Sequence, residues 1–514
     1  MLNPLLTYRL KTLVVSVVCL LLAVILGWQV GNGDYIFLAL ECATILVVVA
    51  AFFLGGFFWV LAIASSFLSG TFPILQGQFT PFHIFVAVGV IKFLIADVVL
   101  QRTKVTMGSR FDAVMITAFM SILLWHGFHD RFGMRFLGSD IWGGKFYVNV
   151  FVGMASFCVI QSIPIKPKLW AKLPYVVLGV AAFDLLITVI TTIFPSLIFV
   201  VYPFYSAVST AGVIEALSGN AVDTARLYAF GNFGFILIVV ILASTSIRKI
   251  FTISNLFRLL LLLGAGLSVL YSSFRTSVFN SAIAALVAGI RDLRWAVVAI
   301  LPLLAAFLLG LSFVNSELVS LPKQFQRSLA FLPGKWDAEM AKDVTASNDF
   351  RRDVWTLWLQ QYFPAHPWFG RGFGFRSDWA RNYSPIVATP DANQQMVETG
   401  NIHNGFFSAL DAFGIVGTIF FVVWNIRLFW LTFQVPHPGR ETGVLTYRFL
   451  GLYLATFIFC FWGGAPNIGG VLPQEFALAA VFLRLQREFA AKTVLVRPRE
   501  SSIASPASER LAHA

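Results

Sequence analysis

The chain contains few charged residues. Only 12% of its 514 residues are charged and 58% are hydrophobic, whereas soluble domains carry about 25% charged residues. The apolar residues recur in stretches of about 20, the length that crosses about 30 Å of hydrocarbon. The composition therefore excludes an ordinary water-soluble enzyme. It predicts an all-α fold, a polytopic transmembrane helical bundle.

Cysteines are also few, and they fall inside apolar runs. The four are Cys19, Cys42, Cys158 and Cys460. Their spacing fits neither a disulfide framework nor a metal site, so they are expected to be small buried hydrophobic residues. The long polar segment late in the chain has no Asp-x-Asp pair or acidic cluster. We therefore expect no metal and no cofactor.

The net charge of +12 does not require a nucleic-acid partner. Membrane proteins concentrate Lys and Arg on their cytoplasmic side, and the basic clusters here alternate with apolar runs as that rule demands. The first apolar run lacks a convincing cleavage site and is expected to be a retained span. The alternation predicts a multi-pass protein with both termini in the cytoplasm.

The apolar runs predict about 12–14 membrane spans. They are residues 13–30, 35–53, 55–71, 80–100, 111–127, 146–163, 174–194, 228–247, 254–272, 276–290, 295–314, 405–433, 447–464 and 468–485. Transmembrane helices thus occupy residues 1–314 and 405–488. Between them lies a large loop, residues 315–404, on the outer side. Residues 489–514, rich in Ala, Ser, Pro and Arg, are expected to form a disordered cytoplasmic tail.

The loop at 315–404 is too long for a simple connector, and loops of that length usually carry function. Within it, residues 348–363 place Phe350, Val354, Trp355 and Trp358 at helical spacing. This pattern predicts a short amphipathic helix resting on the outer membrane interface.

Arg226 precedes the eighth predicted span on the outer side. A guanidinium cannot lose its charge and needs an anionic or carbonyl partner near hydrocarbon. An ion pair with Asp223 or Glu215 would satisfy it, and so would a bound anion.

Arg275 begins a predicted helix with Ser272, Ser273, Thr276 and Ser277 around it. No acid lies in this turn, and helix N-termini attract anions through their free N–H groups and dipole. The alternative is a cation that snorkels to lipid headgroups. Positive charge is disfavoured on the outer side, which favours an anion-binding role.

A histidine, His403, stands where the next predicted helix begins, followed by Asn404. Histidine is the side chain most often used as a general base, although a polar residue there can equally satisfy the free N–H groups of a helix end. Asp411, farther along this helix, has no assigned role from sequence. Glu41, Asp97 and Asp184 fall inside spans, where ionisable groups suggest function, so proton-coupled transport remains an alternative.

The order of these elements resembles the O-antigen ligase and O-antigen polymerase superfamily of bacterial inner-membrane glycosyltransferases. The matching pattern is a histidine and asparagine followed at fixed spacing by two glycines, His403, Asn404, Gly414 and Gly417. It is preceded by Arg351, Arg352 and Trp355, and then by Pro367, Gly370 and Gly372. The resemblance covers about residues 220–425; before that, only the hydrophobic outline is similar.

The resemblance implies a glycan transfer from an undecaprenyl-pyrophosphate-linked donor to a hydroxyl group on the periplasmic face. His403 is expected to be the base and Arg226 and Arg275 to bind the pyrophosphate, with inversion and without a metal. Two local differences concern these arginines. Phe274 stands where the family has a serine, and Gly231 and Asn232 are followed by Phe233 rather than proline.

Arg352, Arg371 and Asn404 are expected to contact substrate as well. The acceptor would be lipid A-core in a ligase, or the growing polysaccharide in a polymerase; protein glycosylation is a further possibility on the same grounds. The alternative from another class is a transporter or flippase for a lipid-linked oligosaccharide.

Overall fold

The computed structural model describes residues 35–71, 79–95, 105–129, 143–202, 227–294, 300–373, 392–435, 442–464 and 468–496. A few isolated positions between residues 16 and 31, residue 103 and residue 205 are described too. The predicted span at 13–30 lies almost entirely outside this part of the chain.

The described residues form helices and contain no strand. The helices before residue 315 are α1 (Tyr35–Phe53), α2 (Phe57–Ser65), α3 (Pro81–Phe93), α4 (Arg110–His129), α5 (Gly144–Ser162), α6 (Leu173–Ile193), α7 (Tyr228–Ser244), α8 (Leu256–Tyr271), α9 (Arg275–Leu293) and α10 (Ile300–Phe313). Those that follow are α11 (Lys323–Leu329), α12 (Ala338–Leu357), α13 (Ala392–Glu398), α14 (Gly405–Thr432), α15 (Val444–Gly464) and α16 (Ile468–Val496). Short helical turns fill other connections: Pro167–Trp170, Pro195–Leu197, Ile198–Val201, Ile247–Ile250, Ile253–Asn255, Val314–Leu318, Trp358–Tyr362 and Phe363–Ala365.

Seven described helical stretches are long and apolar enough to cross a membrane, judged by length and composition. They are Arg110–His129, Gly144–Ser162, Pro167–Ile193, Ile253–Tyr271, Gly405–Thr432, Val444–Trp462 and Ile468–Ala490. The predicted all-α polytopic bundle is therefore confirmed. Three shorter apolar helical stretches, Pro81–Phe93, Tyr228–Ser244 and Ala305–Leu318, accompany them, and the full count of spans stays a prediction.

The helices pack around one apolar core. Helix α5 packs along α16, α7 lies against α6, α8, α9 and α15, and α14 contacts α4, α15 and α16. Helix α16 continues to Val496, beyond the predicted boundary at 488. The ring of Phe489 stacks on Tyr447, with 5.4 Å between centroids, which gives this extension of α16 an apolar contact with α15.

One end of the bundle gathers buried cations. Arg448 of α15 is fully buried and donates from Nε to the carbonyl oxygen of Ala243, while Asp292 lies 3.3 Å from its Nη2. Arg291 donates to the carbonyl oxygen of Leu242. Cations near the end of α7 satisfy carbonyls that have no partner within the helix. Arg291 and Arg448, both predicted to be cytoplasmic, therefore lie together.

The described parts of the long segment, residues 315–373 and 392–404, are folded onto the opposite end of the bundle. Its helix α12 begins at Ala338, ten residues before the predicted interfacial helix, and continues through the wide turn Trp358–Tyr362. Val354 and Trp358 are buried against Val397 and Ile402 of the same segment. Val354 and Trp358 of the apolar face are therefore covered by protein, whereas Leu359 of the same face is 46% exposed, and contact of this helix with the membrane interface stays a prediction. Helical spacing identifies an apolar face but not the surface that covers it.

Candidate active site at the start of helix α14

His403 lies in the turn that leads into α14 and has a left-handed backbone, with φ of 55°. Residues on both sides fix this conformation. The Trp355 indole of α12 donates to the carbonyl oxygen of Ile402 at 2.8 Å. The side chain of Asn404 accepts from the N–H groups of Phe406 and Phe407 at 3.0 and 3.1 Å. Asn404 therefore caps α14, and the imidazole is held at the helix start.

The surroundings of His403 disfavour its charged form. Burial lowers the pKa of its imidazole from the ordinary value of 6.5, and the nearby positive charge of Arg351 lowers it further. A neutral imidazole has a free lone pair that can accept a proton. These surroundings favour the neutral imidazole, which is the form that the predicted general base requires.

The two adjacent arginines of α12 have different surroundings. The Arg352 side chain is 73% exposed and lies 3.2 Å from Asp349, one turn earlier on the same helix. Arg351 is half-buried and is the charge that acts on His403. The structure therefore brings Arg351, and not Arg352, into electrostatic contact with the predicted base.

A glycine-containing loop, residues 366–373, crosses α14 where that helix is broken. Gly414 has φ of 62° and ψ of −170° inside α14, a conformation open essentially to glycine alone. The N–H groups of Ile415 and Val416 donate to the carbonyl oxygens of Pro367 and Trp368. In return, Arg371 and Gly372 donate from their N–H groups to Asp411 and Ala412. The Pro-x-x-Gly-x-Gly element and the first glycine after His403 thus form one backbone contact.

The same loop is held from α4 and α5. The Nε2 of His126 donates to the carbonyl oxygen of Phe369 at 2.6 Å, and the N–H of Phe373 donates to the hydroxyl of Tyr147 at 3.2 Å. Neither His126 nor Tyr147 stood out in the sequence, because each lies in an apolar run without a motif.

Asp411 forms an ion pair with Arg371. Nε and Nη2 of Arg371 donate to the two carboxylate oxygens at 2.8 and 2.9 Å, and the indole of Trp358 donates to one of them at 2.8 Å. The guanidinium also donates to the carbonyl oxygen of Val397 and lies over the ring of Tyr362. Asp411, unexplained from sequence, therefore joins the glycine loop, α12 and α14.

A small, partly open cleft borders this ion pair. Its lining includes Arg371, Glu398, Thr399, Ser408, Asp411 and Ile468. Neither His403 nor Arg275 is among the lining residues. The cleft is therefore lined by the Arg371–Asp411 ion pair, and not by the predicted base or the predicted pyrophosphate-binding arginine.

Arg275 begins α9 directly after the turn from α8, as the sequence predicts. Ser273 in this turn has φ of 62° and is 5% exposed, and its hydroxyl has no hydrogen-bond partner among the described residues. The N–H of Leu227 donates to the carbonyl oxygen of Ser272 at 3.0 Å. The start of α7 and the Arg275 turn are therefore adjacent. Arg226 lies outside the described residues.

The long segment connects the Arg275 turn with the His403 turn. Near Arg275, Ser328 donates to the carbonyl oxygen of Leu270, and the ring of Phe331 packs against that of Phe279 with 4.9 Å between centroids. Arg327 and Asp343 then pair at 3.3 Å between α11 and α12. Farther along α12, Trp355 reaches Ile402. The two turns thus lie at the same end of the bundle, under one continuous piece of chain.

The buried acids lie apart from these turns. Asp184 is fully buried and accepts from the hydroxyl of Tyr205 at 2.9 Å, and Tyr205 in turn accepts from the N–H of Gly70. The side chain of Glu41 and all of Asp97 lie outside the described residues. Sequence reasoning missed Glu475, which is 1% exposed and has Asn425 of α14 beside it. In the described ranges, no three or more His, Cys, Asp or Glu residues are grouped to hold a metal ion.

Residues 259–422 match the family described as O-antigen ligase. The matched stretch begins in α8 and ends in α14, so it contains Arg275, the long segment, the glycine loop and His403. No curated protein matches the chain. The family match supports a function of the O-antigen ligase or polymerase type in general terms. It supports membership of this chain in the O-antigen ligase superfamily.

Proposed function

We propose that this protein transfers a glycan from an undecaprenyl-pyrophosphate-linked donor to a hydroxyl group of an acceptor. The observation that carries the proposal is that two turns with polar side chains lie at the same end of the fold. The Arg275 turn and the His403 turn lie at one end of the bundle and are joined by the long segment. A cation for the pyrophosphate and a base for the acceptor are therefore available on the same side.

In the proposed reaction, His403 accepts the proton of the acceptor hydroxyl as its oxygen attacks the anomeric carbon of the donor sugar. The new carbon–oxygen bond forms while the bond from that carbon to the phosphate oxygen breaks. The bonding electrons leave with undecaprenyl pyrophosphate. A direct displacement inverts the anomeric centre without a covalent enzyme intermediate, and a neutral imidazole is suited to the proton transfer.

The leaving pyrophosphate gains negative charge, and preorganised cations stabilise such charge most effectively where water is excluded. We assign this role to Arg275 and Arg226. The position of Arg275 at a helix N-terminus supports it, because the free N–H groups there add to the attraction. Substrate contact by Arg352, Arg371 and Asn404 stays a prediction, and the cap and ion pair described above favour positioning roles for Asn404 and Arg371.

The reaction is proposed to take place on the periplasmic face of the bacterial inner membrane, with both termini in the cytoplasm. Arg291 and Arg448 at the opposite end of the bundle support this orientation, since Lys and Arg collect on the cytoplasmic side. The acceptor would be lipid A-core or the growing polysaccharide.

A flippase would need ionisable groups along a central path at mid-membrane depth. Asp184, the described acid that raised this alternative, is fully buried and engaged with Tyr205. No specific observation therefore favours transport over transfer.

Deletion of the gene, followed by gel analysis of surface glycans, tests the proposal. Loss of all long chains on lipid A indicates a ligase, and a single uncapped repeat indicates a polymerase. Surface glycans of unchanged chain length that are still attached to lipid A would contradict both the ligase and the polymerase form of the proposal.

A further inference from the structure

Helix α16 carries a buried carboxyl group, that of Glu475, which the proposed reaction does not use. The residue is 1% exposed and lies inside the apolar stretch Ile468–Ala490, about 10 Å along the helix from Ile468 at 1.5 Å per residue. Neither of its carboxyl oxygens has a hydrogen-bond partner among the described residues. A charged carboxylate without a partner is strongly disfavoured in such surroundings, so the neutral acid is the favoured form.

The residue beside Glu475 is Asn425 of α14, whose side-chain amide is neutral. Asn425 is 2% exposed, and its Nδ2 donates to the carbonyl oxygen of Phe421 at 3.0 Å. Next to this pair, the rings of Trp424 and Phe476 pack with 5.2 Å between centroids, so α14 and α16 are in direct contact here. A neutral carboxyl has an O–H group that can donate to the oxygen of an amide, whereas a carboxylate can only accept.

Side-chain contacts are needed at this turn of α16 because the helix contains Pro473. Proline has no N–H, so the carbonyl oxygen of Gly469 loses its partner within the helix, and Nδ2 of Asn149 donates to it at 3.1 Å instead. The amide of Gln474 donates to a backbone carbonyl oxygen just after the end of α2, at 3.2 Å. Side chains thus join this turn to α5 and α2, and Glu475 is placed to join it to α14.

The charged side chains of the helices packed against α16 are engaged with other partners. These helices are α2, α5, α14 and α15. The ion pairs on α14 and α15 are Arg371–Asp411, Arg427–Asp112 and Arg448–Asp292. On α16 itself, Arg484 pairs with Glu488, and Arg487 donates to Gln161.

The remaining titratable groups on the packed helices do not supply a counter-charge to Glu475. They are Lys145, Tyr147 and Cys158 on α5 and Tyr447, Tyr453 and Cys460 on α15, while α2 has none. Lys145, at the start of α5, acts on His83 of α3. Within the described part of the chain, Glu475 therefore forms no ion pair.

We propose that Glu475 is a proton-binding site inside the helix bundle: at neutral pH its carboxyl holds a proton and donates a hydrogen bond to the amide oxygen of Asn425. The ligand is a proton, and the bound proton makes a neutral link between α16 and α14. Helix α14 begins just after His403 and carries Asp411, so this link supports the helix on which the candidate site is built. The inference does not depend on the reaction that the protein catalyses.

Infrared difference spectroscopy of the full-length protein tests the protonation state. The wild type and Glu475→Gln are compared at neutral pH in a detergent without ester groups, whose carbonyl bands would overlap. We expect Glu475→Gln to lose a carboxylic-acid C=O band that lies above the amide I band. The matched control Glu339→Gln, at an exposed position of α12, should lose carboxylate bands instead. Loss of carboxylate bands in both variants would overturn the inference.

Thermal unfolding in detergent gives an independent measurement. Glutamine is a neutral isostere of protonated glutamic acid, so the unfolding midpoint of Glu475→Gln should stay within about 2 °C of the wild type. If Glu475 were ionised and paired, the same variant would break a buried ion pair and lower the midpoint strongly, which would contradict the proposal.

The contact with Asn425 is tested by Glu475→Leu, Asn425→Leu and the double variant. Removal of one partner leaves the other buried without a hydrogen bond, so the double variant should lose less stability than the sum of the two single losses. Strictly additive losses would overturn the hydrogen bond between Glu475 and Asn425.

Discussion

Arg371 and Asp411 form a two-point ion pair, with nitrogen–oxygen distances of 2.8 and 2.9 Å, that joins the glycine loop to α14. The carboxylate side chain is 5% exposed and the guanidinium 15%. Asp411 lies about two turns into the helix that begins just after His403. The pair therefore connects the long segment to the helix whose start carries the predicted base.

Replacement of Asp411 by Asn should destabilise the protein. The change leaves the buried guanidinium of Arg371 without its counter-charge, and breaking a buried pair on one side costs about 3–5 kcal/mol. Thermal or denaturant unfolding in detergent measures the loss. Asp349→Asn is the control, because it breaks the exposed pair with Arg352 and should cost less than about 1 kcal/mol. Equal stability of the two variants would contradict the structural role of Asp411.

Gly414→Ala should be destabilising and should reduce transfer. A Cβ at this position would lie 2.3 Å from the carbonyl oxygen of Trp368, and the backbone conformation itself costs about 1–3 kcal/mol for another residue. Gly264→Ala is the control, since a Cβ there meets nothing within 4 Å. A folded Gly414→Ala protein with wild-type stability and activity would show that the loop does not need to cross α14 so closely.

The transfer reaction should remain active into mildly acidic solution. A base must be unprotonated, so activity falls as pH decreases through its pKa. Because burial and Arg351 lower the pKa of His403 from 6.5, half-maximal kcat/KM is expected below pH 6.5. The measurement is a pH profile of the purified wild-type protein. An acidic limb centred above pH 7 would argue against His403 as the base in this environment.

Arg275→Ala should raise the KM for the lipid-linked donor. The variant loses a cation at the N-terminus of α9, and charge-assisted contacts to phosphate are among the stronger hydrogen bonds. A donor titration at fixed acceptor concentration measures the effect. Arg258→Ala, at the far end of α8 where the side chain donates to Thr245 and Asn255, should leave the KM unchanged. The same KM in both variants would remove Arg275 from the donor site.

The apolar pattern predicted the helices well because spans of this kind are set by length and hydrophobicity alone. The predicted start of α14 at residue 405 and of α9 near 276 agree with Gly405 and Arg275. The surface that covers a helix face was not predictable. The apolar pattern of α12 suggested a membrane interface, and nothing in it indicated that Val397 and Ile402 pack against Val354 and Trp358.

The sequence identified individual residues of the candidate site, but it did not show which of them contact each other. His403 and Arg275 stood out because each is polar at the start of an apolar helix. The partner of Asp411 is 40 residues away in sequence, and nothing in the spacing identifies it. Gly414 appeared as a motif position, but only the structure shows that it has a positive φ and that its backbone lies against that of Gly370. Likewise, sequence alone could not separate Arg351 from Arg352, because their difference depends on which face of α12 meets His403.

The most direct test of the central claim is glycan transfer by purified protein, comparing the wild type with His403→Asn. Asparagine tolerates the left-handed backbone at this position but cannot act as a base. With an undecaprenyl-pyrophosphate-linked glycan and a hydroxyl-bearing acceptor, the wild type should form product and release undecaprenyl pyrophosphate. His403→Asn, equally folded, should be slower by about 100-fold or more. Equal turnover by the two proteins would contradict the assignment of His403 as the base.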